Sequence, residues 1–112
     1  MTQLRIDYIE INVSDIAASK AFYGAAFCWT FTDYGPEYCA FNDGRLDGGF
    51  TTQGKPNPGG PLVILKADDL EDALRRVERA GGKIVNPIFD FPGGRRFQFI
   101  DPDGYELAVW GE

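Results

Sequence analysis

The sequence predicts an α+β fold built from two copies of one βαβββ unit, and three observations lead there. The chain repeats itself: INVSDIAASKAFYGAAF (11–27) lines up with LKADDLEDALRRVERAGG (65–82) at a constant offset of 54. Each segment runs from the end of a strand through an acidic residue into a helical pattern. Each is followed by three short apolar stretches divided by Gly, Pro, Asn and Asp, the residues of tight turns.

The first strand lies in RIDYIEINVSD (5–15), where Ile9, Ile11 and Val13 share one face of a period-two ribbon and Tyr8, Glu10 and Asn12 share the other. Asp15 caps the first helix, which opens at Ile16, because its carboxylate accepts the unpaired amide protons of the first turn. Three strands follow, CWTFTDY (28–34), EYCAFN (37–42) and RLDGGFTT (45–52), joined by Gly35-Pro36 and Asn42-Asp43-Gly44. The stretch QGKPNPGG (53–60) reads as a plain linker or as a rim that closes over a pocket.

The second copy repeats the plan. Its first strand ends at Ala67, Asp69 caps the helix, and Leu70, Ala73, Leu74, Val77 and Ala80 recur at helical spacing until Gly81-Gly82 stops it. The strands KIVNPIFDF (83–91), RRFQFID (95–101) and YELAVW (105–110) are joined by Pro92-Gly93-Gly94 and Pro102-Asp103-Gly104. Pro87 cannot donate to a ladder, so its strand is expected at an edge or with a bulge. Module one therefore spans 4–52, the linker 53–60 and module two 61–112, all within a single domain.

Composition narrows the function. Hydrophobic residues make up 44% of the 112 residues, with charges of both signs dispersed among them, the profile of a soluble globular protein. MTQLRID moves straight into the first strand, and no long apolar run follows, so a cytoplasmic location with no membrane partner is expected. The net charge of −6 repels a phosphate backbone, which argues against nucleic acid as a partner. Cys28 and Cys39 lack the spacing of a redox or zinc motif and read as small buried thiols. There is no histidine, the commonest side-chain ligand of catalytic transition metals and the usual general base near neutral pH.

Three blocks together resemble the vicinal oxygen chelate superfamily of glyoxalase I, bleomycin-resistance proteins and extradiol dioxygenases. They are VSD with AFYGAAF, then GPLVILKADDLEDALRRVERAGGKIV, then GGRRFQFIDPDGYELAVW. The likeness is greatest to short bacterial glyoxalase-related proteins in which GWxF, GGF and PGGRF recur; here Cys28-Trp29 stands where a Gly-Trp pair is usual. The resemblance implies that each sheet curls into a half-barrel, mostly antiparallel, and that two half-barrels pair around a cavity, within one chain or between chains. It also implies a homodimer, the commonest assembly of soluble proteins.

Metal-dependent relatives draw their ligands from the first and last strands of each half. By the resemblance those positions fall at Tyr8, Leu62, Ala108 and near Gly48-Gly49-Phe50. That set supplies one oxygen donor at most, so neither a metal nor another cofactor is expected. The same likeness packs Ile9, Ile11 and Val13 under the helices and turns Tyr8, Glu10 and Asn12 into the cavity, the alternative being that they face water or a dimer partner; Leu62, Ala108 and Trp110 complete the candidate ligand-binding residues. Three functional readings follow. The first is binding of a small apolar or aromatic molecule in a metal-free cavity. The second is a metal-independent lyase or isomerase in which Glu10 is the catalytic base and Tyr8 or Asn12 polarises the substrate. The third is a stress or partner-binding protein with a vestigial cavity.

Other features read more plainly. Arg95 and Arg96 are adjacent in a strand and point to opposite faces, so at most one can reach a pocket and either can be a surface charge. Asp101 and Asp103 lack the ligand spacing of a calcium loop and mark a hairpin turn. Phe22, Tyr23, Trp29, Phe31, Phe41, Phe97, Phe99 and Trp110 are expected in the core and the cavity wall.

Overall fold

Two four-stranded sheets lie on either side of a pair of helices in the computed structural model, which describes residues 3–112. In chain order the elements are β1 (Tyr8–Asn12), α1 (Ile16–Phe27), β2 (Thr30–Asp33), β3 (Tyr38–Asn42) and β4 (Asp47–Thr51), then β5 (Val63–Lys66), α2 (Leu70–Arg79), β6 (Lys83–Phe91), β7 (Gly94–Ile100) and β8 (Glu106–Gly111). The sheet orders are β1-β4-β3-β2 and β5-β8-β7-β6. In each, the first strand pairs in parallel with the fourth and the other pairs are antiparallel, so the two halves share one topology.

The caps form as their residue types dictate. Asp15 Oδ1 accepts from the Ala18 amide at 3.2 Å, and Asp69 Oδ1 accepts from the Asp72 amide at 3.0 Å. Gly81, at φ 99°, carries the chain out of α2. The first helix ends differently: Cys28 takes the left-handed conformation at φ 60° and its amide closes on the Gly24 carbonyl at 3.0 Å. The strand expected from residue 28 therefore begins at Thr30. Pro87 lies in β6, an edge strand, and the register shifts between Ile84 and Asn86 and again between Asn86 and Phe89.

A single core joins the layers. It takes Val13, Phe41 and Phe50 from the first sheet, Phe97, Phe99, Leu107 and Val109 from the second, and Phe22, Tyr23, Leu70 and Val77 from the helices. The α1 rings reach across, with Phe22 and Phe27 centred 6.0 and 5.8 Å from Phe99. Because both sheets turn their inner faces to this core, their outer faces point away from each other. Neither sheet closes into a barrel, and the residues Gly49 and Ala108 on the outer faces are buried among neighbouring side chains, as in a curled half-barrel. The outer faces of the two half-barrels therefore do not face each other within one chain.

The expected packing of the first strand holds in part. Val13 is buried, whereas Ile9 and Ile11 are half-buried beside a cleft of about 1110 Å³ between the two sheets, flanked by Trp29, Val63 and Leu65. Polar contacts clamp the modules elsewhere: Tyr105 Oη donates to the Asn12 carbonyl at 2.7 Å, and the Ser14 amide donates to Asp103 Oδ1 at 3.1 Å. Among the described residues no helix is long and apolar enough to cross a membrane.

Candidate functional site

On the outer face of the first sheet, strand alternation turns Tyr8 and Glu10 of β1 to the same side as Tyr38 of β3. Their polar ends form a chain. Tyr38 Oη donates to Glu10 Oε1 at 3.0 Å, which leaves it to accept from Tyr8 Oη at 2.6 Å. Burial first, and then the hydrogen bonds to Tyr8 and Glu10, push the Tyr38 phenol above its ordinary range and keep it a proton donor. Gly49 of β4 lies beneath: a Cβ there would collide with both phenols, so only glycine lets them meet. A cleft of about 300 Å³ opens beside them, lined by Tyr8, Thr30, Thr32, Tyr34, Ala40 and Asn42 among others.

Asn12 stands apart. It is half-buried, and Gly54 of the 53–60 segment packs so closely on it that an added Cβ would lie 2.5 Å from Oδ1. Tyr105 Oη accepts from the Asn57 amide at 2.8 Å, so this segment is tied to the start of the second module's last strand.

The outer face of the second sheet carries Ile64, Arg96, Gln98, Glu106, Ala108 and Trp110. Arg96 Nη2 donates to Gln98 Oε1 at 3.2 Å, and Gln98 Nε2 donates to the Glu106 carboxylate, an arrangement that fixes the orientation of the amide. The guanidinium carbon lies 5.2 and 5.7 Å from the ring centres of Phe89 and Phe91, and Phe91 meets Trp110 edge-on at 6.2 Å. Lys66 Nζ sits 5.0 Å from the Trp110 ring centre and bonds Glu112 Oε1 at 3.1 Å. Arg95 points the other way and binds Glu71 of α2 at 2.6 and 3.1 Å, which holds the Glu71 carboxyl below its usual range.

The residues singled out in the sequence therefore fall into two groups. Tyr8 and Glu10 meet on the first sheet, with Asn12 at its end under the linker; Ala108 and Trp110 lie on the second, with Leu62 just before β5 and 38% exposed. Tyr38, Arg96, Gln98 and Glu106 complete the two faces. Strand parity points to Tyr38, because Cys39 and Phe41 form the apolar face of EYCAFN and leave Tyr38 on the other.

The register also sharpens the fourth of the positions that the family resemblance aligns with metal ligands. Gly49 stands opposite Glu10 as Ala108 stands opposite Ile64, so the set is Tyr8, Gly49, Leu62 and Ala108. One phenol among a hydrogen, an isobutyl and a methyl group does not fit a divalent cation, and no three His, Cys, Asp or Glu side chains converge among the described residues.

A family model described as Glyoxalase/Bleomycin resistance protein/Dioxygenase superfamily matches residues 5–109. The anthracycline biosynthesis protein DnrV of Streptomyces peucetius is 32% identical over 124 aligned positions, which cover 92% of this chain and 45% of DnrV, so the chain spans about half the length of that relative. Among solved structures, a glyoxalase-related enzyme from Fulvimarina pelagi superposes with a TM-score of 0.83 at 22% identity, over 98% of this chain and 89% of the other. A glyoxalase/bleomycin resistance protein/dioxygenase family enzyme from Burkholderia phytofirmans PsJN superposes with a TM-score of 0.81 at 16% identity, over 94% and 96%.

Proposed function

The chain belongs to the Glyoxalase/Bleomycin resistance protein/Dioxygenase superfamily, and from that membership we propose that it binds a small apolar or aromatic molecule against its curled sheets without a resident metal. The observation that carries the reading is the make-up of the two outer faces. The first sets the Tyr8 and Tyr38 rings and Ala40 among hydroxyl groups, with Tyr8, Tyr38 and Glu10 linked in one polar chain, and the second sets Ile64, Ala108, Trp110, Phe89 and Phe91 around the chain of Arg96, Gln98 and Glu106. Ligand sites have that composition, with apolar lining supplying affinity and a few placed polar groups supplying orientation. The name of DnrV ties that relative to the biosynthesis of anthracyclines, and a small-molecule ligand here is in keeping with it.

Each outer face is open, so a second copy is the natural cover: the first half-barrel of one chain closes over the second of its partner in a two-fold dimer. Native mass spectrometry of the freshly purified protein tests both parts of the proposal. The expected result is a dimer at twice the 12.4 kDa chain mass that retains or takes up apolar aromatic compounds. A monomer at micromolar concentration that binds none of a library of such compounds overturns it.

The Tyr8–Tyr38–Glu10 chain also favours a second reading, a metal-independent lyase or isomerase. In it the Glu10 carboxylate takes a proton from the ligand while a phenol hydrogen-bonds the oxygen that gains charge. Turnover of a bound carbonyl compound, with exchange of its α-proton into deuterium oxide, would separate this reading from binding alone.

A further inference from the structure

Arg96 is a charged group held in a partly apolar place without a counter-charge. Its Nε is buried and has no hydrogen-bond partner, and its single hydrogen bond among the described residues goes to the neutral Gln98 amide. Among the described residues no carboxylate forms an ion pair with it, although Arg95 next to it is fully engaged by Glu71. Leaving a buried donor of a cation unmet costs free energy that a bound acceptor would recover. The Phe89 and Phe91 rings stand beside the guanidinium, and Trp110 lies opposite Arg96 on the neighbouring strand, so the cation is bordered by flat apolar surface.

We infer that Arg96 holds the carboxylate of an aromatic acid whose ring packs against Phe89, Phe91 and Trp110. The guanidinium fork matches a planar carboxylate. Charge decides against a phosphate: Lys66 is already paired with Glu112, which leaves Arg96 as the one free cation here among the described residues, and Glu106 lies one residue beyond Gln98 in the same chain of bonds. One guanidinium matches one negative charge, and the nearby Glu106 carboxylate repels a second. Gln98 acts as a positioning residue, its amide oriented by Glu106 so that its oxygen, not its nitrogen, meets Arg96. The inference rests on the small-molecule reading above and names the class of molecule.

The test measures binding of 2-naphthoate and of neutral 2-naphthamide by calorimetry, with the Trp29 and Trp110 indole signals followed by NMR. Wild type should prefer the acid by about tenfold or more, with the Trp110 signal moving and the Trp29 signal still. Arg96→Gln should remove that preference while keeping the amide affinity, Arg96→Lys should restore only part of it, and Arg95→Gln should leave it intact. Equal affinity for acid and amide in wild type, or a preference unaffected by Arg96→Gln in a folded variant, overturns the role of Arg96 and leaves the small-molecule reading standing. Binding of neither probe, nor of any neutral aromatic in the library, overturns both.

Discussion

Tyr23, on the helix of the first module, donates a 2.8 Å hydrogen bond to Asp101 in the closing turn of the second, and both residues are buried. The carboxylate also accepts from the amides of Asp103 and Tyr105, so one side chain organises the turn and the contact between modules. Desolvation raises the Asp101 pKa, against the hydrogen bonds from Tyr23, Tyr105 and Asp103, which lower it. An acid with a raised pKa contributes stability that is complete below its unfolded value and is lost as pH climbs through the folded one. Tyr23→Phe removes a bond to the ionised form, so it should cost about 1.5–3 kcal/mol at neutral pH. It should also raise the Asp101 pKa further, and the deficit should shrink as acidification protonates the carboxyl. Urea unfolding of both proteins at pH 7 and near pH 4 checks this, and a deficit that is constant with pH would contradict it.

Cys28 is the one non-glycine residue with positive φ among the described residues. A side chain in that conformation costs about 1 kcal/mol relative to glycine. Its sulfur accepts a 3.0 Å contact from Arg76 Nη2 at an exposed position, a weak interaction. Cys28→Gly should therefore raise stability by about 1 kcal/mol, whereas Cys28→Ala, which keeps the strain, should not. Thermal melts of the two variants separate the backbone effect from the sulfur contact.

Much of this architecture was legible in the chain because the fold is written locally and twice. Asp15 and Asp69 announce helix starts through the same capping chemistry, and the offset of 54 repeats the whole unit, so an error in one copy is corrected by the other. Pro87 indicated an edge or a bulge and has both. The site was less legible, since a strand shows which residues share a face but not which residue stands opposite on a neighbour. Tyr8 meets Tyr38 across thirty positions only through the pairing of β1 with β4 and of β4 with β3. Parity separated Arg95 from Arg96 but could not say which one a helical glutamate would claim. The placement of Ile9 and Ile11 beside a cleft was hidden for a similar reason: it depends on where the helices lie on the sheet, a tertiary choice with no local signature.

Adjacent glycines of β4 should behave in opposite ways. A Cβ on Gly48 would meet the Phe41 ring in the core and the Ile9 carbonyl at 2.5 Å, and neither can move without disturbing the sheet. Gly48→Ala should cost about 3 kcal/mol or prevent folding. On Gly49 the collision is with the phenol ends of Tyr38 and Tyr8, which can swing outward. Gly49→Ala should fold with a loss near 1 kcal/mol while breaking the Tyr8–Tyr38–Glu10 chain. Expression and urea unfolding of the pair decide the matter; equal losses would mean that the two faces of β4 are equally constrained.

Glu10 is exposed in the single chain, so Glu10→Gln should change stability by no more than about 0.5 kcal/mol. Its effect should instead appear on the neighbour and on the ligand. Burial is the first cause of the raised Tyr38 pKa and persists in the variant, but one hydrogen bond that adds to it loses its charge, so the Tyr38 pKa should fall and remain above that of a free phenol. NMR titration of the tyrosine ring carbons reads this directly. A ligand held by Glu10 should weaken by about 1–3 kcal/mol, and unchanged affinity would remove Glu10 from the site.

The family resemblance aligns Tyr8, Leu62 and Ala108, and with the strand register Gly49, with the ligand positions of metal-dependent relatives, and the sequence contains no histidine to replace them. A dehydrated divalent cation needs several convergent oxygen, nitrogen or sulfur donors, and one phenol does not offset the loss of its water. Cys39 does not change the count, because it is buried on the inner face of β3, away from Tyr8 and Gly49. Nor does Glu10, which would have to surrender the Tyr38 hydrogen bond to become a lone carboxylate ligand. Protein purified without a metal-affinity tag should therefore contain less than one equivalent of zinc, nickel, iron or manganese, and adding these ions should leave the melting temperature unchanged. Ligand-linked stabilisation grows with the logarithm of concentration over Kd, so even a moderate site would register as a shift. A stoichiometric metal, or a clear rise in melting temperature with one of these ions, would mean that donors outside the aligned positions converge in the assembled protein, and it would return metal-dependent lyase chemistry to consideration.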